Sequence, residues 1–311
     1  MIDAVIVQIL ILVVSLIVLA LSSHYAINAI ERLIALTGLS EMSAGFILLA
    51  TLTSVPEIIV AIFAVMQGEP GISIGDILGS NVFNVGAVLG ILGILGYLKT
   101  CCTDMLLDLT DILFLTSLIP LLLVIFNISS PVVGILLLGT FVANTYFMAK
   151  KRTPAVEVNG NSKTVKKGSM TKVIALLAVA LVGVIISARL VVSSGIEIAT
   201  ILGAPAILLG AKVIAIGTSL PEFTTDLAAV RRGRVHLAIG GIIGSNLTNL
   251  TLVLGLVLLT SPSVDITILT ELLPFLLVTT VIFWRFLTRG GISKFGGALL
   301  LVTYLLFQII V

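Results

Sequence analysis

The sequence predicts an all-α polytopic membrane protein: ten transmembrane helices in two inverted five-helix repeats, with helices two, three, seven and eight broken. Three observations carry this expectation. Hydrophobic residues make up 59% of the 311-residue chain and charged residues 10%, whereas a soluble domain has about a quarter of its residues charged. So much apolar surface has to face lipid. Ten stretches are long and apolar enough to cross a bilayer core, and two polar motifs recur at one fixed offset.

About 20 apolar residues span a hydrocarbon core of about 30 Å. Such stretches run near 3–24, 43–68, 72–97, 105–126, 130–149, 170–200, 205–230, 235–260, 265–285 and 292–311. The longest polar gap, 150–169, contains Pro154, Asn159, Gly160 and several lysines. It reads as a cytoplasmic linker between a first repeat at 1–149 and a second at 170–311. Loop charge tests the count. With the N-terminus outside, the inner loops hold Arg32, Lys99, seven basic residues in 150–172, Arg231, Arg232, Arg234, Arg285, Arg289 and Lys294. That is fifteen of seventeen basic residues; the other two, Arg189 and Lys212, lie within spans. The positive-inside rule then places both termini outside, with the protein in the cell membrane. The first span lacks a basic leader and a cleavage motif, so no cleavable signal is expected. Adjacent Cys101 and Cys102 have neither disulfide nor metal spacing and read as reduced thiols near a helix end.

Thr53-Ser54-Val55-Pro56-Glu57 returns as Thr218-Ser219-Leu220-Pro221-Glu222. Gly79-Ser80-Asn81-Val82-Phe83-Asn84 returns as Gly244-Ser245-Asn246-Leu247-Thr248-Asn249. Both lie 165 residues on, as do Gly45 and Gly210, Ile74-Gly75 and Ile239-Gly240, and Leu89-Gly90 and Leu254-Gly255. Five spans per half is an odd number, so the halves must sit in opposite orientations. Glycine and serine also recur where helices pack tightly, but tight packing does not demand a glutamate at matching places. Inverted repeats hold their substrate near the midplane, at discontinuous helices where the halves meet.

Each Thr-Ser-x-Pro-Glu lies in mid-span. Proline offers no N–H to the carbonyl four residues back, so the carbonyls of Leu52 and Gly217 lose their partners. In lipid, irregular backbone persists only where it is buried in protein or lines a wet cavity. Thr53, Ser54, Thr218 and Ser219 put hydroxyls beside these breaks, and Glu57 and Glu222 put carboxylates at equivalent depth. A charge at the bilayer centre costs a few kcal/mol, so the pair calls for a cation or protons. The donors are all oxygen, which suits a hard cation such as Ca2+ with its six to eight oxygen ligands. Soft metals recruit sulfur or imidazole, and His24 and His236 lie outside both motifs. Ser80, Asn84, Ser245 and Asn249 extend the donor set. Asn81 and Asn246 share helix faces with Asn84 and Asn249, and interhelical hydrogen bonding is the alternative role for these amides.

These residues resemble the two α-repeats of the calcium/cation antiporter superfamily, which holds the sodium/calcium and proton/calcium exchangers. Gly217-Thr-Ser-Leu-Pro-Glu222 and Gly244-Ser245-Asn246 are closest to the sodium/calcium branch. The resemblance implies Ca2+ ligation by Glu57 and Glu222 and by the carbonyls of Ala50 and Ala215. Thr53, Ser54, Thr218, Ser219, Ser80 and Ser245 would complete the pockets. It also implies alternating access, with helices one and six sliding against the rest. Leu52 stands where the family usually has glycine, and Asn249 where many sodium-coupled members have aspartate. With asparagine at both 84 and 249 the core counts two carboxylates, balanced by one Ca2+, two protons or two Na+. The expectation is therefore export of Ca2+ against H+, with Na+/Ca2+ exchange at the same site as the alternative.

Asp226 follows Glu222 by one helical turn and is a candidate for the inner ion pathway, while Asp76 is a candidate on the outer side. For Asp76 a salt bridge with Lys212 is the favoured role. A cation channel is the rival class. One chain holding both halves of the site suits a monomeric transporter better, with no nucleic-acid partner and no cofactor. An enzyme is not expected, since no H-E-x-x-H or Ser/His pair stands in mid-span.

Overall fold

The computed structural model describes residues 2–37, 53–126, 130–150, 170–261 and 269–311, and all regular structure among them is helical. An open-ended segment in lipid has to satisfy its own backbone polar groups, and the helix does so. In chain order the elements are α1 (Ile2–Thr37), α2 (Val55–Met66), α3 (Pro70–Ile94), α4 (Asp104–Phe126) and α5 (Pro131–Lys150). There follow α6 (Met170–Leu202), α7 in two arms (Ala206–Thr218 and Leu220–Arg231), α8 (Val235–Thr260), α9 (Leu269–Leu287) and α10 (Lys294–Ile310). Six of these, α1, α3, α4, α6, α8 and α9, are long and apolar enough to cross a membrane, and α7 makes a seventh if its arms form one span. α2, α5 and α10 are shorter apolar helices. The expected linker beyond Lys150 and the carbonyl of Ala50 lie outside the described residues.

The 165-residue offset reaches the element boundaries. α2 and the second arm of α7 share it at both ends, and α3 and α8, like α4 and α9, share it at their first residues. The breaks differ from expectation. α7 does bend, by 41° at Ser219. α3 and α8 do not break. Each runs through a π-helical stretch, Phe83–Val88 and Asn249–Val253. No proline interrupts these segments, so a widened turn absorbs the irregularity while the ladder continues. α4 is interrupted instead, at Leu118 just before Pro120.

α3 and α8 form the centre: 83% of an apolar 18-residue stretch in each is buried, against 22% in α1 and 28% in α6. α3 lies along the first arm of α7 at glycine-to-backbone distance. A Cβ on Gly75 would overlap the Ile207 carbonyl oxygen and lie 2.9 Å from the Ala211 nitrogen. Gly71 meets Ile207 and Gly79 meets Ala211, so the two helices run parallel. α2 enters α3 through the short turn at Gln67–Glu69 and runs the other way; α7 is therefore antiparallel to α2, its counterpart in sequence. Gly90 of α3 packs on Gly297 of α10, and Gly255 of α8 packs on Gly134 of α5. Each central helix is thus backed by the last helix of the other half. α1 and α6 pair around Leu12, Leu16, Leu19, Val184, Ala188 and Val191, and the same cluster takes in Val60 and Ala64 of α2, Ile72 of α3 and Ile214 of α7.

Since α3 and α7 run parallel, their C-terminal ends gather Lys99 with Arg231, Arg232 and Arg234 at one end of the molecule. Ile292 N donates to Leu98 O at 2.7 Å, and Cys101 N donates to Gly290 O at 3.2 Å. These bonds bring Arg289 and Lys294 to the same end. Glu69 marks the opposite end.

Candidate cation-binding site

The second motif helix of each half begins in the same way. Ser54 (φ −81°, ψ 7°) and Ser219 (φ −87°, ψ 1°) leave helical geometry, and Pro56 and Pro221 follow in the first turn, where a missing N–H is harmless. Glu57 and Glu222 thereby stand in first turns, at helix ends whose free N–H groups favour negative charge. Both are buried, at 0% and 2% exposure. Thr53, Ser54, Ser80, Asn84, Thr218, Ser219, Ser245 and Asn249 are buried with them.

The contacts run between the halves, except that of Ser245 with Glu222. Ser219 Oγ donates to Glu57 Oε1 at 3.4 Å, and Ser245 Oγ donates to Glu222 Oε1 at 3.2 Å. Ser54 Oγ and Ser245 Oγ are 2.9 Å apart. Ser80 Oγ lies 3.3 Å from Thr218 Oγ1 and 3.5 Å from the Ala215 carbonyl oxygen. Asn84 Nδ2 donates to Asn246 Oδ1 at 3.1 Å, and Asn246 Nδ2 donates to the Asn81 carbonyl at 3.4 Å. Asn84 and Asn246 therefore do join the halves, the alternative weighed for these amides. Asn84 Oδ1 and both side-chain atoms of Asn249 keep no partner, nor do Glu57 Oε2 and Glu222 Oε2. Buried polar atoms are almost always satisfied, and these free oxygens are acceptors that a cation can occupy. Among the described residues no three of His, Cys, Asp and Glu converge as a conventional metal centre. Hydroxyl, amide and carbonyl oxygens with carboxylates suit a hard, exchangeable cation rather than a fixed soft metal.

Asp76 departs from expectation. It is 1% exposed and makes no salt bridge with Lys212. Thr218 Oγ1 donates to its Oδ1 at 2.9 Å and Ser80 Oγ at 3.4 Å, whereas Lys212 Nζ donates to the Gln308 carbonyl at 3.3 Å, on α10. The side chains leave α3 and α7 on different faces. A third carboxylate is thus held by the hydroxyls of Thr218 and Ser80, and Thr218 adjoins the Ser219 that holds Glu57. Sequence reasoning also missed Ser73, fully buried with an unpartnered Oγ. The signal was available: Ser73, Asp76 and Ser80 are spaced three and four apart, one polar stripe on a buried helix. Asp226 is 7% exposed, one turn beyond Glu222. His24 and His236 are exposed and take no part.

Comparison with known proteins gives the site a setting. The sequence matches the profile of the sodium/calcium exchanger protein family over residues 7–150 and 172–311. It is 29% identical to a sodium/calcium exchanger, MaX1, of Methanosarcina acetivorans, with 98% of each chain covered. It is also 29% identical to the inner membrane protein YrbG of Escherichia coli, covering 81% of this chain and 79% of that one. A solved structure of the sodium-calcium exchanger NCX_Mj superimposes with a TM-score of 0.67 at 27% identity, covering 97% of this chain and 98% of that one. Matched across nearly its whole length, the chain belongs to the sodium/calcium exchanger protein family, whose members are membrane-embedded cation antiporters and not enzymes.

Proposed function

We propose that the chain is a secondary active antiporter that exports Ca2+ by alternating access at a midplane site centred on Glu57 and Glu222. The observation that carries this is the pair of fully buried glutamates, each with one oxygen held by a serine and the other unpartnered. Thr53, Ser54, Thr218, Ser219, Ser80, Ser245, Asn84, Asn249 and the carbonyls of Ala215 and Ala50 supply the remaining ligands. Ten spans in two inverted five-helix repeats fit the shared boundaries and the antiparallel course of α2 and α7. The apolar contact of α1 and α6 with α2, α3 and α7 suits a pair that slides past the site-bearing body. The end rich in arginine and lysine would face the cytoplasm, leaving both termini outside the cell membrane. Since one chain contains both halves of the site, a monomer suffices.

Na+ is the counter-ion this reading favours. Two of the relatives named above, MaX1 and NCX_Mj, are sodium/calcium exchangers, and Asp76, bonded to Thr218 and Ser80, adds a carboxylate near the two from which proton exchange was expected. Proton coupling is the second reading, favoured by the neutral Asn84 and Asn249. Each glutamate supplies one of the negative charges that balance Ca2+. Glu57→Gln and Glu222→Gln should therefore each abolish Ca2+ flux into proteoliposomes while the protein stays folded in the membrane. Wild-type flux in either variant would overturn the assignment.

A further inference from the structure

The repeat is unfaithful at the carboxylates beyond the glutamates. The counterpart of Asp76, 165 residues on, is Gly241, and the counterpart of Asp226 is Ala61. In space the mismatch closes. A Cβ built on Gly241 would lie 3.2 Å from Asp226 Oδ1, inside ordinary van der Waals separation. The α7 carboxylate thus fills the volume that an aspartate at 241 would occupy on α8. Each half therefore sets one carboxylate beside its Gly-Ser-Asn helix, one turn before the serine: Asp76 before Ser80, and Asp226 alongside Gly241 before Ser245. α3 runs from the Glu69 end toward the arginine-rich end and α8 runs back. Asp76 consequently lies on the Glu69 side of the central glutamates and Asp226 on the arginine side.

We infer that Asp76 and Asp226 are repeat-related cation ligands, one serving each face of the membrane, that receive Ca2+ on its way to Glu57 and Glu222. Free oxygens support this independently of the acidic pairing. Asp76 Oδ2 and Ser73 Oγ are buried without a hydrogen-bond partner, a costly state in a dry interior. Ser73, Asp76 and Ser80 follow at steps of three and four residues, so they share one face of α3, and Glu69 stands as its N-cap. Glu69, at the head of this stripe, also lines a cavity with Thr200 and Ala206 between α6 and α7. At the inner end of the stripe, Thr218 bonds Asp76 at 2.9 Å. On the other side Asp226 lies one turn from Glu222 on the same helix face.

The inference rests on the glutamate site, and its test separates the two. Ca2+ uptake is measured in right-side-out and inside-out vesicles, which gives a KM for Ca2+ at each face. Removing one carboxylate from a Ca2+ ligand set weakens binding by about tenfold or more. Asp76→Asn should raise the KM at the Glu69 face relative to the other by about that factor, and Asp226→Asn should shift the ratio the opposite way. The double change Asp226→Ala with Gly241→Asp moves the carboxylate to the helix that bears it in the first half, and should return the ratio toward wild type. Its behaviour decides the matter even if Asp226→Asn folds poorly. Ratios unchanged in both single variants, or a double variant with no recovery, would overturn the inference. Failure of the glutamate site itself shows separately, as flux surviving in Glu57→Gln and Glu222→Gln.

Discussion

Gly75→Ala probes how the interface between α3 and α7 holds the site together. The new methyl would overlap the Ile207 carbonyl oxygen and stand 2.9 Å from both the Ile207 carbonyl carbon and the Ala211 nitrogen. Comfortable carbon contacts are about 3.5–4.0 Å, and the obstructing atoms are backbone, so no side chain can swing away. The helices have to separate by more than about half an ångström. Overpacking of this kind costs about 1–3 kcal/mol, offset by up to about 1 kcal/mol of helix propensity gained over glycine. For a chain of this size each kcal/mol is worth about 2–4 °C in Tm. The Ser80–Thr218 contact, 3.3 Å, crosses this interface and would pass out of hydrogen-bond range, with the 2.9 Å Thr218–Asp76 bond lengthened beside it. The expected outcome is a Tm lower by a few degrees in detergent and a raised KM for Ca2+ in proteoliposomes. Gly139→Ala is the control, because its Cβ meets nothing within 4 Å. A wild-type Tm and KM in Gly75→Ala, or an equal loss in Gly139→Ala, would refute the reasoning.

Asn249→Asp adds a carboxylate where the asparagine's own side-chain atoms have no partner and should increase the Na+ dependence of Ca2+ flux; unchanged dependence would remove charge count as the determinant of the counter-ion. Single cysteines placed at 155–165 in a Cys101→Ala, Cys102→Ala background should react with an impermeant maleimide only from the cytoplasm, and labelling from outside would invert the topology. In the native chain, burial pushes the Cys101 thiol up to about 11. The thiolate is the reactive form, so Cys101 should label slowly at neutral pH and about tenfold faster per pH unit up to that value. A rate independent of pH would contradict its burial against the Gly290–Ile292 loop.

The sequence exposed the chemistry because both motifs are local. A proline and a glutamate four and five residues into each run fix where the helix begins and which residue occupies its first turn. A shared offset then says that two such turns face each other. Contacts between helices were less accessible. Asp76 and Lys212 both belong to the same end of the molecule, but pairing them needs the helix faces, and those send Lys212 to Gln308 and Asp76 to Thr218. The replacement of an aspartate on α8 by one on α7 beside Gly241 is likewise invisible without the packing. The π-helical stretches at Phe83–Val88 and Asn249–Val253 carry no breaker residue. Breaks were expected in these two helices, yet a widened turn kept them whole.

Ca2+ flux into proteoliposomes at clamped voltage tests the central claim most directly. Three conditions are compared: an outward Na+ gradient alone, a pH gradient alone, and no counter-ion gradient. The account predicts saturable Ca2+ uptake driven by the Na+ gradient, little uptake without a counter-ion, and none in Glu57→Gln. Uptake driven only by the pH gradient would replace Na+ with protons at the same site. Uptake that needs no ion on the opposite side and does not saturate would contradict antiport itself.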